Sequence, residues 1–185
     1  MPKMTAKQLQ HRAAKIKVVL MDVDGVLTQG PLYHFVDTAG ALVELKGIHA
    51  QDSIALAWLA ESGIATGIIS GRVSRGTEER MKMLKVSYIY QHRLDKSAVF
   101  AEILAKSGAA PEQVLYIGDD LPDIPVLTRA GIGVAVQDAR PEVKAAADWV
   151  TQAEGGRAAV REVAEVVLRA TGKWSAILKR YAPAR

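Results

Sequence analysis

Asp22 and Asp24, one residue apart, close the apolar run VVLM at residues 18–21. Further polar residues follow later apolar runs: Ser70, Gly71 and Arg72 after IATGII, Asp95 and Lys96 after VSYIY, and Asp119, Asp120 and Asp123 within GDDLPD. Acids crowded around one mouth repel each other unless a cation neutralises them, and hard oxygen ligands suit a magnesium ion. The Ser70 hydroxyl and the backbone N–H groups of Gly71 and Arg72, read as the start of a helix, offer donors to phosphate oxygens, while Lys96 adds a compact positive charge. Phosphoryl transfer needs an in-line nucleophile and cations that spread the charge of the equatorial oxygens. With no cysteine in the chain, a carboxylate is the natural nucleophile. One aspartate of the pair attacks, and its neighbour protonates the leaving oxygen and later deprotonates water.

These side chains meet only if the elements carrying them end at one place. Residues 16–21, 64–70, 86–90, 113–118 and 131–136 read as strands, and helical patterns fall between them, at 50–62, 74–84, 96–107 and 123–130. Such alternation predicts an α/β fold with a parallel sheet covered by helices on both faces, where ligands bind outside the carboxyl ends of the strands. Every acid named above lies at such an end. Residues 31–47 break the alternation: two short β-type runs flank the turn signal DTAG, which predicts an inserted hairpin. Residues 155–185 read as a helical tail that opens on a flexible Gly155-Gly156 pair and Arg157, suited to a cationic arm at a phosphorylated, carboxylated sugar, while the downstream helix is open to the alternative of packing on the core.

At 185 residues the chain suits one domain, 1–185, with a full core. The N-terminal stretch lacks the apolar core of a signal peptide and no run approaches a membrane span, so a cytoplasmic protein with no membrane partner is expected. A formal net charge of +4 comes from scattered cations with only 5% aromatic residues, which argues for a mildly basic surface and against nucleic acid. His34, His49 and His92 share no metal-ligand spacing and read as surface or interface residues. Singly, each motif has a bland reading: a DxD pair caps helices, GDD makes a turn, a lone lysine is solvated. In register at four successive strand ends, they reinforce one another.

DVDGV (22–26), Ser70, Lys96 and GDDLPD (118–123) resemble, in order, the four motifs of the haloacid dehalogenase superfamily of phosphatases. The resemblance implies a three-layer, Rossmann-like fold and magnesium as cofactor. It implies Asp22 as the nucleophile that forms an aspartyl-phosphate and Asp24 as general acid/base. Ser70 and Lys96 would bind phosphate, with Gly71, Arg72 and Arg157 toward the substrate, and Asp119 would join Asp22 and Asp24 at the metal. Asp120 would reach the metal through water and Asp123 would orient Lys96. No large cap domain fits between the motifs, since only the hairpin and a helix separate Asp22 from Ser70. The stretches KIKVVLMDVDGVLTQGPLY, ISGR, VLYIGDDLPDIPVL, GVAVQDARPEVKAAADWVT and GGRAAVREV narrow the resemblance to the 3-deoxy-D-manno-octulosonate 8-phosphate (KDO 8-phosphate) phosphatases, over residues 15–172. It implies release of KDO and phosphate in lipopolysaccharide biosynthesis by a homotetramer whose hairpins and tails complete neighbouring sites. Two positions depart from that family: Gln29 stands where an aspartate is expected, and in KGIHAQDS Gln51 stands before Asp52 where a basic residue is expected.

Other classes stay open. A phosphatase of a nine-carbon sugar acid 9-phosphate (KDN or sialic acid) would share this chemistry. A receiver domain also uses Asp, Ser/Thr and Lys around magnesium, but its acid pair and phosphoacceptor lie on different strands. A non-catalytic metal- or phosphate-binding module is a further alternative.

Overall fold

A computed structural model describes residues 4–182. Six strands form one parallel sheet in the order β5-β4-β1-β6-β7-β8, with β1 (Val18–Met21) flanked by β4 (Ala65–Ile69) and β6 (Val114–Gly118). β5 (Tyr88–Tyr90) and β8 (Trp149–Val150) are the edges, and β7 (Ile132–Ala135) lies between β6 and β8. All four residues of β1 are buried, as expected of an unbroken apolar run at the centre of a parallel sheet. The chain reverses direction in sheet order at β1, because β4 lies on one side and β6 on the other. A crevice therefore opens beyond the carboxyl ends of these three strands.

Helices α1 (Ala6–Ala13), α2 (Ala50–Glu61), α7 (Ala159–Ala170) and α8 (Trp174–Tyr181) pack together; α4 (Lys96–Ser107), α5 (Ile124–Leu127) and α6 (Pro141–Ala146) form a second group. Their ends follow local chemistry. Asp95 caps α4 by accepting from the N–H groups of Ser97 and Ala98, and Gly108 ends it at φ 65°. Asp52, fully buried on α2, accepts from the N–H groups of Ala158 (3.2 Å) and Arg161 (2.8 Å), so one helix caps the first turn of another.

Sequence reading found five of the six sheet strands. β8 has two residues, and α6 has six that begin on Pro141, both too short to show a period. α1 did leave a local signal: Thr5 and Gln8 form a capping box. The helix after β4 corrects an expectation. α3 spans Arg75–Met83 with Ser74 as its cap, so Gly71 and Arg72 lie in the preceding loop and not at a helix start.

The hairpin forms as expected, from β2 (Tyr33–Val36) and β3 (Leu42–Leu45), paired antiparallel. Its turn is tied by Asp37, whose carboxylate accepts from the N–H groups of Ala39 and Ala41. The opening of the tail differs from the flexible arm expected of it, while its helices pack on the core. A Cβ on Gly155 would overlap the carbonyl of Gly25, one on Gly156 would overlap the backbone at Thr28–Gln29, and the Gly156 N–H donates to the Val26 carbonyl at 2.8 Å. The glycine pair is pressed against the loop after β1. Beyond it, α7 lies along α2 and Trp174 and Ile177 of α8 are buried, so the tail belongs to the core of its own chain. Residues 183–185, the end of the expected tail, fall outside the described residues, as do 1–3. Among the described residues no helix is long and apolar enough to cross a membrane.

Candidate active site

The loop that leaves β1 turns at once. The N–H groups of Val26, Leu27 and Thr28 all point to the carbonyl of Val23, and Gly25 adopts φ 92°. Gly25 is required there twice over: the left-handed backbone favours glycine, and a Cβ would overlap the Asp119 carboxylate. This turn holds Asp22 and Asp24 beside Asp119, which follows β6. The resulting cleft, of about 410 Å³, is lined by Asp22, Asp24, Ser70, Gly71, Arg72, Lys96, Asp119, Asp120 and Asp123. Nine of the ten candidate residues therefore meet in one place. Arg93, Leu94 and Pro122 also line it.

Lys96, on the first turn of α4, is buried with its Nζ 3.1 Å from Asp22 Oδ1 and 2.7 Å from Asp123 Oδ1. Burial alone would lower its pKa; the charges of Asp22 and Asp123 outweigh that and raise it, so the ammonium stays charged. Asp123, wholly buried, accepts from Lys96, from the Tyr116 hydroxyl (2.6 Å) and from the N–H groups of Asp119 (3.0 Å) and Asp120 (3.2 Å). Four donors occupy its two oxygens, and Lys96 is thereby fixed toward Asp22. Tyr116 is the buried partner that sequence reading missed, since a tyrosine inside an apolar strand signals only core.

Burial raises the Asp22 pKa to about 6, with Lys96 partly opposing and Asp123 adding to the rise. Burial, then the charges of Asp22 and Asp123, pushes Asp119 up to about 8. Asp119 Oδ1 is buried without a donor. Carboxylate oxygens of Asp22, Asp119 and Asp123 lie within 4.8 Å of one another, close enough to share an ion. Since Asp123 is already saturated by donors, Asp22 and Asp119 carry the unmet negative charge. An orphaned carboxylate oxygen in a set of hard oxygen donors fits a divalent cation.

Asp24 stands outside that group. Its carboxylate is met instead by Lys46 of the hairpin, at 2.8 and 2.9 Å, and by Arg72 at 3.7 Å. Ser70, nearly buried, accepts from the Arg72 N–H at 3.2 Å, which folds the loop after β4 back over its strand. Asp120 accepts from the Leu121 N–H and starts the short 3₁₀ turn that brings Asp123 inward. Arg157 is the candidate that does not reach the cleft: it is exposed and pairs with Glu154 at 3.2 Å. Lys46 and Glu44 were missed because single charged residues at a strand end read as solvated.

The chain is similar to known proteins along most of its length. A haloacid dehalogenase-like hydrolase family model matches residues 86–161. The chain is 40% identical over 168 residues to the 3-deoxy-D-manno-octulosonate 8-phosphate phosphatase of Yersinia pestis, covering 91% of this chain and 88% of that protein. The chain belongs to that phosphatase family. Among solved structures, a probable YrbI family phosphatase from Pseudomonas syringae superposes on the phosphatase with a TM-score of 0.90 at 40% identity, covering 96% of this chain and 98% of the other. The Moraxella catarrhalis 3-deoxy-D-manno-octulosonate 8-phosphate phosphatase, solved with magnesium, phosphate and KDO, superposes with a TM-score of 0.89 at 35% identity, covering 95% and 99%.

Proposed function

We propose that this phosphatase hydrolyses KDO 8-phosphate to KDO and phosphate with magnesium, through an aspartyl-phosphate on Asp22, and so serves lipopolysaccharide biosynthesis. The observation that carries the chemistry is the buried Asp22–Lys96–Asp123 chain beside the unpartnered oxygen of Asp119. The substrate rests on the family and on the relative from Moraxella catarrhalis that binds magnesium, phosphate and KDO.

Asp22 and Asp119 would hold the magnesium ion, which supplies charge neutralisation for the phosphoryl oxygens and keeps Asp22 ionised for attack. Asp22 Oδ attacks phosphorus in line while the bond to the sugar oxygen breaks, and Asp24 gives its proton to that oxygen. Asp24 then takes a proton from the water that hydrolyses the aspartyl-phosphate. Lys96 and Ser70 face the same space and bind phosphoryl oxygens, with Asp123 holding Lys96 in line.

Phosphate release from KDO 8-phosphate, compared by kcat/KM with release from KDN 9-phosphate and sialic acid 9-phosphate, tests the substrate. KDO 8-phosphate is expected to lead. The nine-carbon esters are compared because the two departures, Gln29 and Gln51, lie by the hairpin, where Gln29 lines a cleft with Tyr33 and His49. A preference for either nine-carbon ester would establish the nine-carbon reading instead. Asp22→Asn keeps the side chain's size but removes the nucleophile, so turnover should fall by about 10³-fold or more. Near-normal turnover in that variant, or full activity in excess chelator, would reject the chemistry itself.

A further inference from the structure

The hairpin sends one long side chain back to Asp24 at the edge of the catalytic cleft. Lys46 follows β3 directly, and its side chain is only 5% exposed. Its Nζ donates to Asp24 Oδ2 at 2.9 Å, lies 2.8 Å from Oδ1 and stands 3.4 Å from Glu44 Oε1. Glu44 in turn accepts from Arg72 at 3.0 Å, and the Arg72 guanidinium closes the ring 3.7 Å from Asp24. Among the described residues, Lys46 and Arg72 are the side chains that meet the Asp24 carboxylate.

A buried ammonium is costly unless it is paired, and a lysine that only served a hairpin would point to water. Of Lys46's two partners, Asp24 lines the catalytic cleft and Glu44 lines the neighbouring pocket against α3. A carboxylate that must reach a leaving oxygen needs a defined orientation, because proton transfer requires hydrogen-bond distance to that atom. The turn after β1 fixes the Asp24 backbone but leaves its side chain to rotate; Lys46, hydrogen-bonded to Oδ2 with its charge close to Oδ1, removes that freedom.

We propose that Lys46 is a positioning residue that sets the orientation of the Asp24 carboxylate, so that the order of the hairpin governs proton delivery to the leaving alcohol. The proposal rests on the reading of Asp24 as general acid/base. As the bond from Asp22 Oδ to phosphorus forms and the phosphorus–alcohol bond breaks, the proton on Asp24 goes to the alcohol oxygen. Lys46 gives and takes no proton. Glu44 holds the ammonium from the other side and ties Arg72 to the same ring.

Leaving-group dependence tests this, because a sugar alkoxide needs a proton as it departs and 4-nitrophenolate does not. In Lys46→Met, first-turnover release of the alcohol from the sugar phosphate, read ahead of the hydrolysis of the aspartyl-phosphate that both esters share, should slow by about 30-fold or more, a part of the roughly 10²–10⁴-fold that general acid catalysis typically supplies. First-turnover release of 4-nitrophenolate should slow by at most about 3-fold, since the proton is not needed, with the half-saturating concentration of either ester changed little. Lys46→Arg should recover part of the lost rate. Equal losses on both esters in that first turnover, a loss confined to the half-saturating concentration, or no loss would overturn the proposal. If Lys46→Met fails to fold by circular dichroism, Glu44→Gln replaces it: the same ester-selective loss, smaller in size, is expected, and an unselective one refutes. Asp24→Asn run in parallel separates the two ideas. If that variant shows no ester selectivity, the acid/base assignment fails; if it does and the Lys46 variants do not, only the positioning role fails.

Discussion

Asp119 shows what burial does to a carboxylate that lacks its counter-charge. Its pKa is pushed up to about 8, and that of Asp22 to about 6, both well above the ordinary aspartate value. In the unfolded chain both groups ionise near pH 4. The metal-free folded state therefore binds more protons than the unfolded state between about pH 4 and 8, and its stability is full below that window and falls as pH rises through it. Asp119→Asn removes the larger part of this burden. Thermal unfolding without divalent cations should show wild type losing ground to the variant between pH 5 and pH 8.5, by an amount on the order of 1 kcal/mol or more after allowance for water at the open mouth. Saturating magnesium should cancel the difference, because an ion bound to the native state alone adds stability by mass action. Parallel pH curves for the two proteins would show that Asp119 is not strained by its charge. The same physics explains why GDDLPD was readable: acids this close have few uses other than a cation or a cap, and here Asp120 is a cap while an oxygen of Asp119 is left without a donor.

Among the elements, the loop after β1 depends on a segment far along the chain. Gly25 lies between Asp119 on one side and Gly155 on the other, with no space for a Cβ on either glycine. Gly155→Ala would drive the Gly25 backbone toward the Asp119 carboxylate. A clash with backbone cannot be relieved by a rotamer, so a cost of about 1–3 kcal/mol in stability is expected, in the range of overpacking elsewhere. Because the displaced loop carries Asp22 and Asp24, kcat should fall by about 10-fold or more even where the variant is folded, as small misplacements of reacting groups do. Circular dichroism with steady-state kinetics checks both; a folded variant with unchanged kcat would show the contact to be slack. The sequence reading treated this glycine pair as the flexible start of an arm because glycine permits both flexibility and close approach, and only the neighbour it touches distinguishes them.

For the molecule as a whole, the hairpin is unfinished in one chain. Tyr33, Phe35, Val43 and Leu45 pair across one of its faces, with Phe35 52% exposed and Leu45 60%, and at the tip Leu42 is 71% exposed. A two-stranded ribbon is marginal in water on its own, and this apolar face has no cover within the described residues. We propose that other copies of the chain cover it in a homo-oligomer, as a tetramer in the expected form. Burying even a few such side chains at about 25 cal/mol per Å² contributes several kcal/mol to assembly before entropic costs. Phe35→Asp should shift the protein toward smaller species in sedimentation. It should also lower kcat/KM for the sugar phosphate more than for 4-nitrophenyl phosphate, because the hairpin also carries Lys46. A wild type that is a fully active monomer would defeat this account.

The sequence by itself determined the sheet, the strand ends that hold the acids, and the chemistry those acids can do. Each of these follows from local signals: apolar runs of strand length, turn residues at their ends, and charges with few alternative uses. Tertiary structure alone decided which partner each charge has. Asp123 and Tyr116 lock Lys96 onto Asp22, Lys46 returns from the hairpin to Asp24, and Arg157 turns away to Glu154. Asp52 is a helix cap and Gly155 a close contact for the same reason. A charge or a glycine takes its role from whatever the fold brings within a few ångströms, and pairings such as Asp52 with Arg161 join residues that no local pattern links.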